Sequence, residues 1–253
     1  MNAIKLNTRS KKVLTILWIA CLIPSFVLSQ DSSSKKMLIF TKTVDFRHES
    51  TEVSIEAIKT LCAENGIEAD ATEDSEWFTS EKLNEYDAVM FLSSSGDVFN
   101  EKQEIAFQEY IRSGRGFVGI HGASTTEYDW DWFGKMIGGY FNGHPTPQDA
   151  TIIVDDDQHL STKHLPERWD RFDEWYNFRW VDKEFNVLLS LDETSYEGSD
   201  HPDSHPIAWY KSYDGGRMFY TALGHTKESY SEKPFLDHVL GGILYAMDES
   251  KNE

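Results

Sequence analysis

The sequence predicts an α/β protein: a mostly parallel sheet flanked by helices, with an antiparallel extension in the C-terminal half. Two observations predict it. Short apolar runs alternate with longer amphipathic stretches between residues 35 and 120, the pattern of parallel strands joined by right-handed helical crossovers. Farther on, the strand-like runs Ile207–Tyr210 and Met218–Thr221 flank a turn at Gly215-Gly216, so the last two strands pair antiparallel.

Residues 1–29 read as a signal peptide. Lys5, Arg9, Lys11 and Lys12 make a basic start, Val13–Leu28 is apolar but interrupted by Pro24, and Val27-Leu28-Ser29 fits a cleavage site. A lipoprotein signal cleaved before Cys21 is the minor alternative, because Trp18-Ile19-Ala20 matches that signal poorly. Either route implies a secreted or periplasmic protein, with no membrane span once the leader is removed. Residues 30–36 read as a polar linker and residues 37–248 as one folded domain.

Within the domain, Met37–Phe40 is an apolar strand that runs into the polar loop Thr41–Glu49. Ser50–Asn65 reads as a helix, capped by Ser50 or Thr51 and stopped by Gly66. Cys62 shares a helical face with Ile55 and Ile58, which makes it a core residue; with Cys21 in the leader it has no disulfide partner. Ile67–Ala71 follows as a strand, Ser80–Asn84 as a helical turn, and Asp87–Leu92 as a buried strand ending in Ser93-Ser94-Ser95-Gly96-Asp97. Asn100–Ser113 is an amphipathic helix, and the strand through Phe117 and Val118 ends at Ile120. In the second half Trp130–Phe141 reads as helical, Ala150–Val154 and Val187–Leu191 as strands, Asp170–Trp180 as an aromatic-rich segment, and Pro234–Met247 as a closing helix.

The chemistry sits where strands end. Gly114–Thr126, GRGFVGIHGASTT, presents His121 at a strand terminus among small residues that allow a sharp turn and leave room for a ligand. The end of the last strand, Ala222-Leu223-Gly224-His225-Thr226, repeats the pattern. Ligands of open α/β sheets lie at the carboxyl ends of the strands, so the loops bearing His48, Ser93–Asp97 and His121 share one edge. His201 and His205 are four residues apart, but Pro202 and Pro206 argue against a helix there. No phosphate-cradling glycine loop follows the first strand, so neither a nucleotide nor a flavin is expected. The chain has 24 basic and 43 acidic residues, net −19. That charge repels nucleic acid and anionic membranes and admits neutral substrates and cations.

The segments FRHES (Phe46–Ser50), GRGFVGIHGAS (Gly114–Ser124), GGYFNGHP (Gly138–Pro145), DEWY (Asp173–Tyr176) and GGRMFYTALGHT (Gly215–Thr226) together resemble the ThuA-like, or trehalose utilisation, family. The resemblance spans about Met37 to Met247. It implies a flavodoxin-like sheet of the class I glutamine amidotransferase-like kind. The amidotransferases carry a nucleophilic cysteine in the turn that His121 occupies here, so glutaminase chemistry is not implied. The family is associated with carbohydrate use, often of disaccharides or oxidised sugars, and some members resemble metal-binding proteins.

With these motifs in hand, the residues expected to act catalytically are His121, Glu174 and His48. His48, His121 and His225 are the expected ligands of a divalent metal, zinc first, since imidazoles with a carboxylate suit that ion. Arg47, Asp97, Trp130, His144, Trp175 and His205 are expected to contact a small-molecule carbohydrate. Two function classes stay open: an enzyme acting on a disaccharide or keto sugar, as hydrolase, lyase or isomerase, and a non-catalytic carbohydrate-binding accessory protein of the same fold.

Overall fold

The structure is a computed structural model that describes residues 34–201 and 204–248. The expected signal peptide, residues 1–29, with Cys21, lies outside the described residues. Strand β1 (Lys35–Phe40) begins inside the stretch expected to be linker, because Lys35 and Lys36 already pair with Ile67 and Glu68. It is followed by α1 (Thr51–Glu64), β2 (Ile67–Thr72), α2 (Ser80–Leu83), β3 (Ala88–Leu92), β4 (Ser95–Gly96), α3 (Glu101–Arg112), β5 (Gly116–Ile120), β6 (Thr125–Thr126), α4 (Asp131–Ile137) and β7 (Gly139–Phe141). The second half adds β8 (Gln148–Val154), β9 (Arg168–Asp173), β10 (Phe178–Trp180), β11 (Asn186–Leu191), β12 (Pro206–Tyr213), β13 (Gly216–Thr221) and α5 (Lys233–Ala246).

The main sheet has nine strands in the order β2-β1-β3-β5-β13-β12-β11-β8-β9. The pairings from β2 to β13 are parallel and those from β13 to β9 antiparallel. The flavodoxin-like parallel half and the antiparallel extension are therefore both present. Central strands β3 and β5 are buried along their whole length, as strands covered on both faces must be. Phe91 on β3 packs against Phe40 and Phe117 from the strands on either side, at 5.2 Å in each case. Cys62 is fully buried in the same core.

Three elements depart from the sequence reading. Helix α4 stops at Ile137, since Gly138 takes φ +91°, and Gly139–Phe141 form β7 against β10. The aromatic segment Asp170–Trp180 contains the end of β9 and the whole of β10. In β9 the buried positions are Trp169, Arg171 and Asp173, so its inward face is mostly charged and shows no apolar alternation. The hairpin loop is Asp214-Gly215, with φ +48° and +100°, one residue ahead of the expected turn; Gly216 already pairs with Tyr213.

Strands β1, β3, β5 and β13 point the same way, so the loops that follow them open at one edge. The successive antiparallel pairings from β13 to β9 return β9 to that same direction, which sends Glu174 to the same edge. Although β9 is the far strand of the sheet, Asp173 accepts hydrogen bonds from the amides of Gly224 (3.0 Å) and His225 (3.1 Å) just beyond β13. The antiparallel half thus curls back over the carboxyl edge.

Candidate functional site

Four side chains converge at that edge. Ligand atoms of His48, His121, Glu174 and His225 all lie within 4.8 Å of one another. His48 comes from the loop after β1 and is buried; its carbonyl accepts from the Thr51 amide (3.2 Å) and hydroxyl (2.8 Å) at the start of α1. His121 leaves β5 at φ +47°, a left-handed conformation that costs a non-glycine residue about 1–2 kcal/mol. The Tyr220 hydroxyl holds this turn by donating to the His121 carbonyl (2.9 Å). Gly224 takes φ +105° before His225, where a Cβ would stand 2.8 Å from the Tyr230 hydroxyl.

The tautomer of His121 follows from its partners. Nδ1 lies 2.6 Å from the Ala222 carbonyl, an acceptor, so Nδ1 carries the proton. The Nε2 lone pair then faces Glu174 Oε2 at 3.5 Å and His225 Nδ1 at 3.3 Å. Glu174 Oε2 is also 3.2 Å from His225 Nδ1, and Glu174 Oε1 is 3.2 Å from His144 Nδ1. Tyr176, buried beneath the cluster, lays its ring 4.2 Å from that of His121 and places its hydroxyl 3.4 Å from His48 Nε2. His48 Nδ1 is buried without a hydrogen-bond partner.

Burial pushes the His48 imidazole down to about 3, and the neighbouring His121 and His225 add to the effect, so His48 is neutral. Burial raises the Glu174 carboxyl, but the neighbouring His121 and His225 imidazoles outweigh it and hold the group well below the usual range. The Glu174 hydrogen bond raises His225. Glu174 is therefore ionised in the folded protein.

The donor set fits a divalent ion. At metal–ligand distances of about 2.1 Å a tetrahedral site has edges of about 3.4 Å. Three of the contacts are 3.2, 3.3 and 3.5 Å. The Ala222 carbonyl fixes the ring of His121 as an outer partner of a metal-bound imidazole would.

The structure brings His48, His121, Glu174 and His225 together, and His144 reaches Glu174 from the exposed rim. The other expected contacts lie elsewhere. Arg47 is bound at the surface by Glu52 (2.7 Å) and Glu73 (2.8 Å). Asp97 is exposed and hydrogen-bonds the buried Glu127. Trp130 stacks on Phe133 at 5.9 Å, and Trp175 is buried with its indole N–H donating to the Gln148 carbonyl (2.9 Å). His205 sits behind the site, its Nε2 donating to the Tyr176 carbonyl (2.8 Å). The cavity beside the cluster, about 480 Å³, is instead walled by Phe46, Tyr128, Phe141 and Tyr176. Asp173 and Arg171, which anchor the His225 loop, carry no signal in the sequence beyond the place of Asp173 in the DEWY segment.

Among the described residues no helix is long and apolar enough to cross a membrane. A ThuA-like protein from Bacteroides uniformis is 26% identical with a TM-score of 0.73, over 87% of this chain and 94% of that one. A second, from Parabacteroides merdae, is 19% identical with a TM-score of 0.73, over 87% and 93% of the two chains. A β-galactosidase from Bacillus circulans sp. alkalophilus shares the fold over 87% of this chain and 31% of its own, with 12% identity and a TM-score of 0.52. Curated protein sequences give no match. The family model described as ThuA, trehalose utilisation, matches residues 36–246, which supports a carbohydrate-related role. From that match across the sheet, its carboxyl edge and every residue of the cluster, the chain belongs to the ThuA family.

Proposed function

We propose that the chain is an exported enzyme of carbohydrate breakdown whose cluster holds a divalent ion, zinc first, beside a cavity that receives a disaccharide or keto sugar. The observation that carries the reading is the convergence of acceptors. With its proton committed to Ala222, His121 points a lone pair at a carboxylate held ionised and at a second imidazole. Such a cluster is stabilised by a shared proton or by a cation at its centre, and the spacing suits the cation.

His48, His121, His225 and Glu174 would hold the ion. When bound, it supplies Lewis-acid polarisation of a sugar oxygen or a water of lowered pKa. The chain's own residues do the rest. The Tyr176 ring and the Ala222 carbonyl keep His121 in one orientation. Asp173 holds the His225 loop through two backbone amides. Phe141 and Tyr128 offer flat apolar surface to a sugar ring and exclude water from the inner cavity. His144, exposed at the rim and tied to Glu174, is placed to hydrogen-bond a sugar hydroxyl.

Elemental mass spectrometry on tag-free protein tests the reading, with His121→Ala and His225→Ala alongside. About one divalent ion per chain is expected, lost in both variants. Conversion of disaccharides and their keto derivatives should fall ~10²-fold or more in His121→Ala. No retained metal after reloading with zinc, manganese and nickel would sink the metal reading. Sugar affinity that changes in the variants with no conversion to lose would leave the non-catalytic binding protein.

A further inference from the structure

His205 reaches the cluster from behind. It lies just ahead of β12, 1% exposed, with its carbonyl accepting from the Leu191 amide (3.0 Å). Its Nε2 is 2.8 Å from the Tyr176 carbonyl, a group that only accepts, so Nε2 carries a proton. Nδ1 faces Glu193 Oε1 at 2.7 Å and the Tyr196 hydroxyl at 2.9 Å. The same hydroxyl is 3.0 Å from Glu193 Oε1, so the three groups close into a triangle. A contact of 2.7 Å between Nδ1 and a carboxyl oxygen needs a proton between them. The ring is therefore fixed on one side by Glu193 and Tyr196 and spends its other N–H on Tyr176.

Residues 174–177 join β9 to β10 with neither helix nor strand structure. Such a segment has no ladder of its own, and its buried backbone groups need partners from elsewhere. The Asn177 amide donates to the Gly143 carbonyl and its carbonyl accepts from the Asn142 amide, at 2.8 Å each. The Tyr176 carbonyl has the His205 ring. Two residues on, the Phe178 amide donates to His201 Nε2 (2.9 Å), so His201 and His205 grip the same segment. What they hold in place is the Tyr176 side chain. Its ring lies 4.2 Å from that of His121 and 4.4 Å from that of Phe141, and its hydroxyl stands 3.4 Å from His48 Nε2. Tyr176 thus touches two of the four members of the cluster and forms part of the cavity wall.

We propose that His205, held by Glu193 and Tyr196, is a positioning residue of the site. By fixing the Tyr176 carbonyl it sets the ring that orients His121 and the hydroxyl that meets His48. This role rests on the reading of the cluster as the functional site and extends that site to residues that touch neither the ion nor the cavity.

NMR of protein labelled at the histidine rings tests it, on the wild type, His205→Gln and His205→Leu. Glutamine keeps an N–H donor near the place of Nε2, and leucine fills the space without one. In the wild type the His205 ring should carry a proton on Nε2. A bare Nε2 overturns the proposal with no variant needed, so the test stands even where His205→Leu fails to fold. His205→Leu should shift the ring signals of His121 and His48, because the Tyr176 ring current then falls on them differently, and His205→Gln should leave them in place. Zinc competition against a chelator should show affinity lower by ~10-fold or more in His205→Leu, the loss usual for an outer partner of metal ligands, with recovery in His205→Gln. Unmoved His121 and His48 signals in a folded His205→Leu overturn the positioning role. So do signals that move equally in both variants, since any change at this position would then disturb the packing. A wild type that binds no zinc sinks the metal reading instead, and the NMR comparison still decides the role of His205.

Discussion

Asp173 shows how one residue outside the cluster sets its geometry. Its two carboxylate oxygens accept from the Gly224 and His225 amides, and its charge is met by Arg171, whose side chain is 3% exposed. Arg171 in turn donates to the Ser229 hydroxyl (2.8 Å). Replacing Asp173 by Ala strands two amides and leaves a buried guanidinium without its inner counter-charge. Removing one partner of a buried ion pair costs about 3–5 kcal/mol. Urea unfolding of Asp173→Ala should show a loss of that size, and a loss below ~1 kcal/mol would mean that the loop is held by other contacts. The neighbouring choice between Trp175 and Tyr176 is also made residue by residue. Successive side chains of an extended chain point to opposite sides. Glu174 and Tyr176 face the cavity, so Trp175 between them turns to the interior.

Between elements, α5 fits closely against the sheet. Gly242 lies in the middle of that helix, and a Cβ there would stand 2.4 Å from the ring of Phe219 on β13. Glycine to alanine inside a helix ordinarily stabilises by about 1 kcal/mol. Here the ring is fully buried between helix and strand, and overpacking costs about 1–3 kcal/mol. Gly242→Ala should therefore lower the thermal midpoint, and a raised midpoint would show that Phe219 can move aside. The same element-level logic governs the short ladder of β7 and β10. It pairs Gly139–Phe141 with Phe178–Trp180 across nearly forty residues of chain, so neither strand shows itself in its own neighbourhood.

For the whole molecule, the buried histidines set an acid limit. Burial pushes His238 down to about 3 and His159 down to about 4. These groups stay neutral in the folded protein, while in the unfolded chain they take up protons below about pH 6.5. The unfolded state then binds more protons, so stability rises with pH in this window. The contribution is whole above about pH 6.5 and is lost as pH falls toward 4 and then 3. Denaturation midpoints should hold above about pH 6.5 and drop from there to pH 5, and a flat profile would contradict the buried neutral state.

Much of this was legible in the residues alone. Met37–Phe40, Asp87–Leu92 and Phe117–Ile120 announce buried parallel strands, because only strands covered on both faces are apolar throughout. Parallel strands share a direction, so the His48, Ser93–Asp97 and His121 loops had to meet at one edge, and the parallel pairing of β13 with β5 adds the His225 loop to it. Position along the chain could carry that much because strands joined by helical crossovers run parallel. Tertiary structure alone decided what faces the cavity. A shift of one residue flips every side chain of an extended segment, and register comes from partners far away in sequence. Pairing of Phe178 with Phe141 and the curl of β9 over the edge put Tyr176, not Trp175, against His121. They also brought Asp173 to the His225 loop and turned Arg47 and Trp130 to other partners.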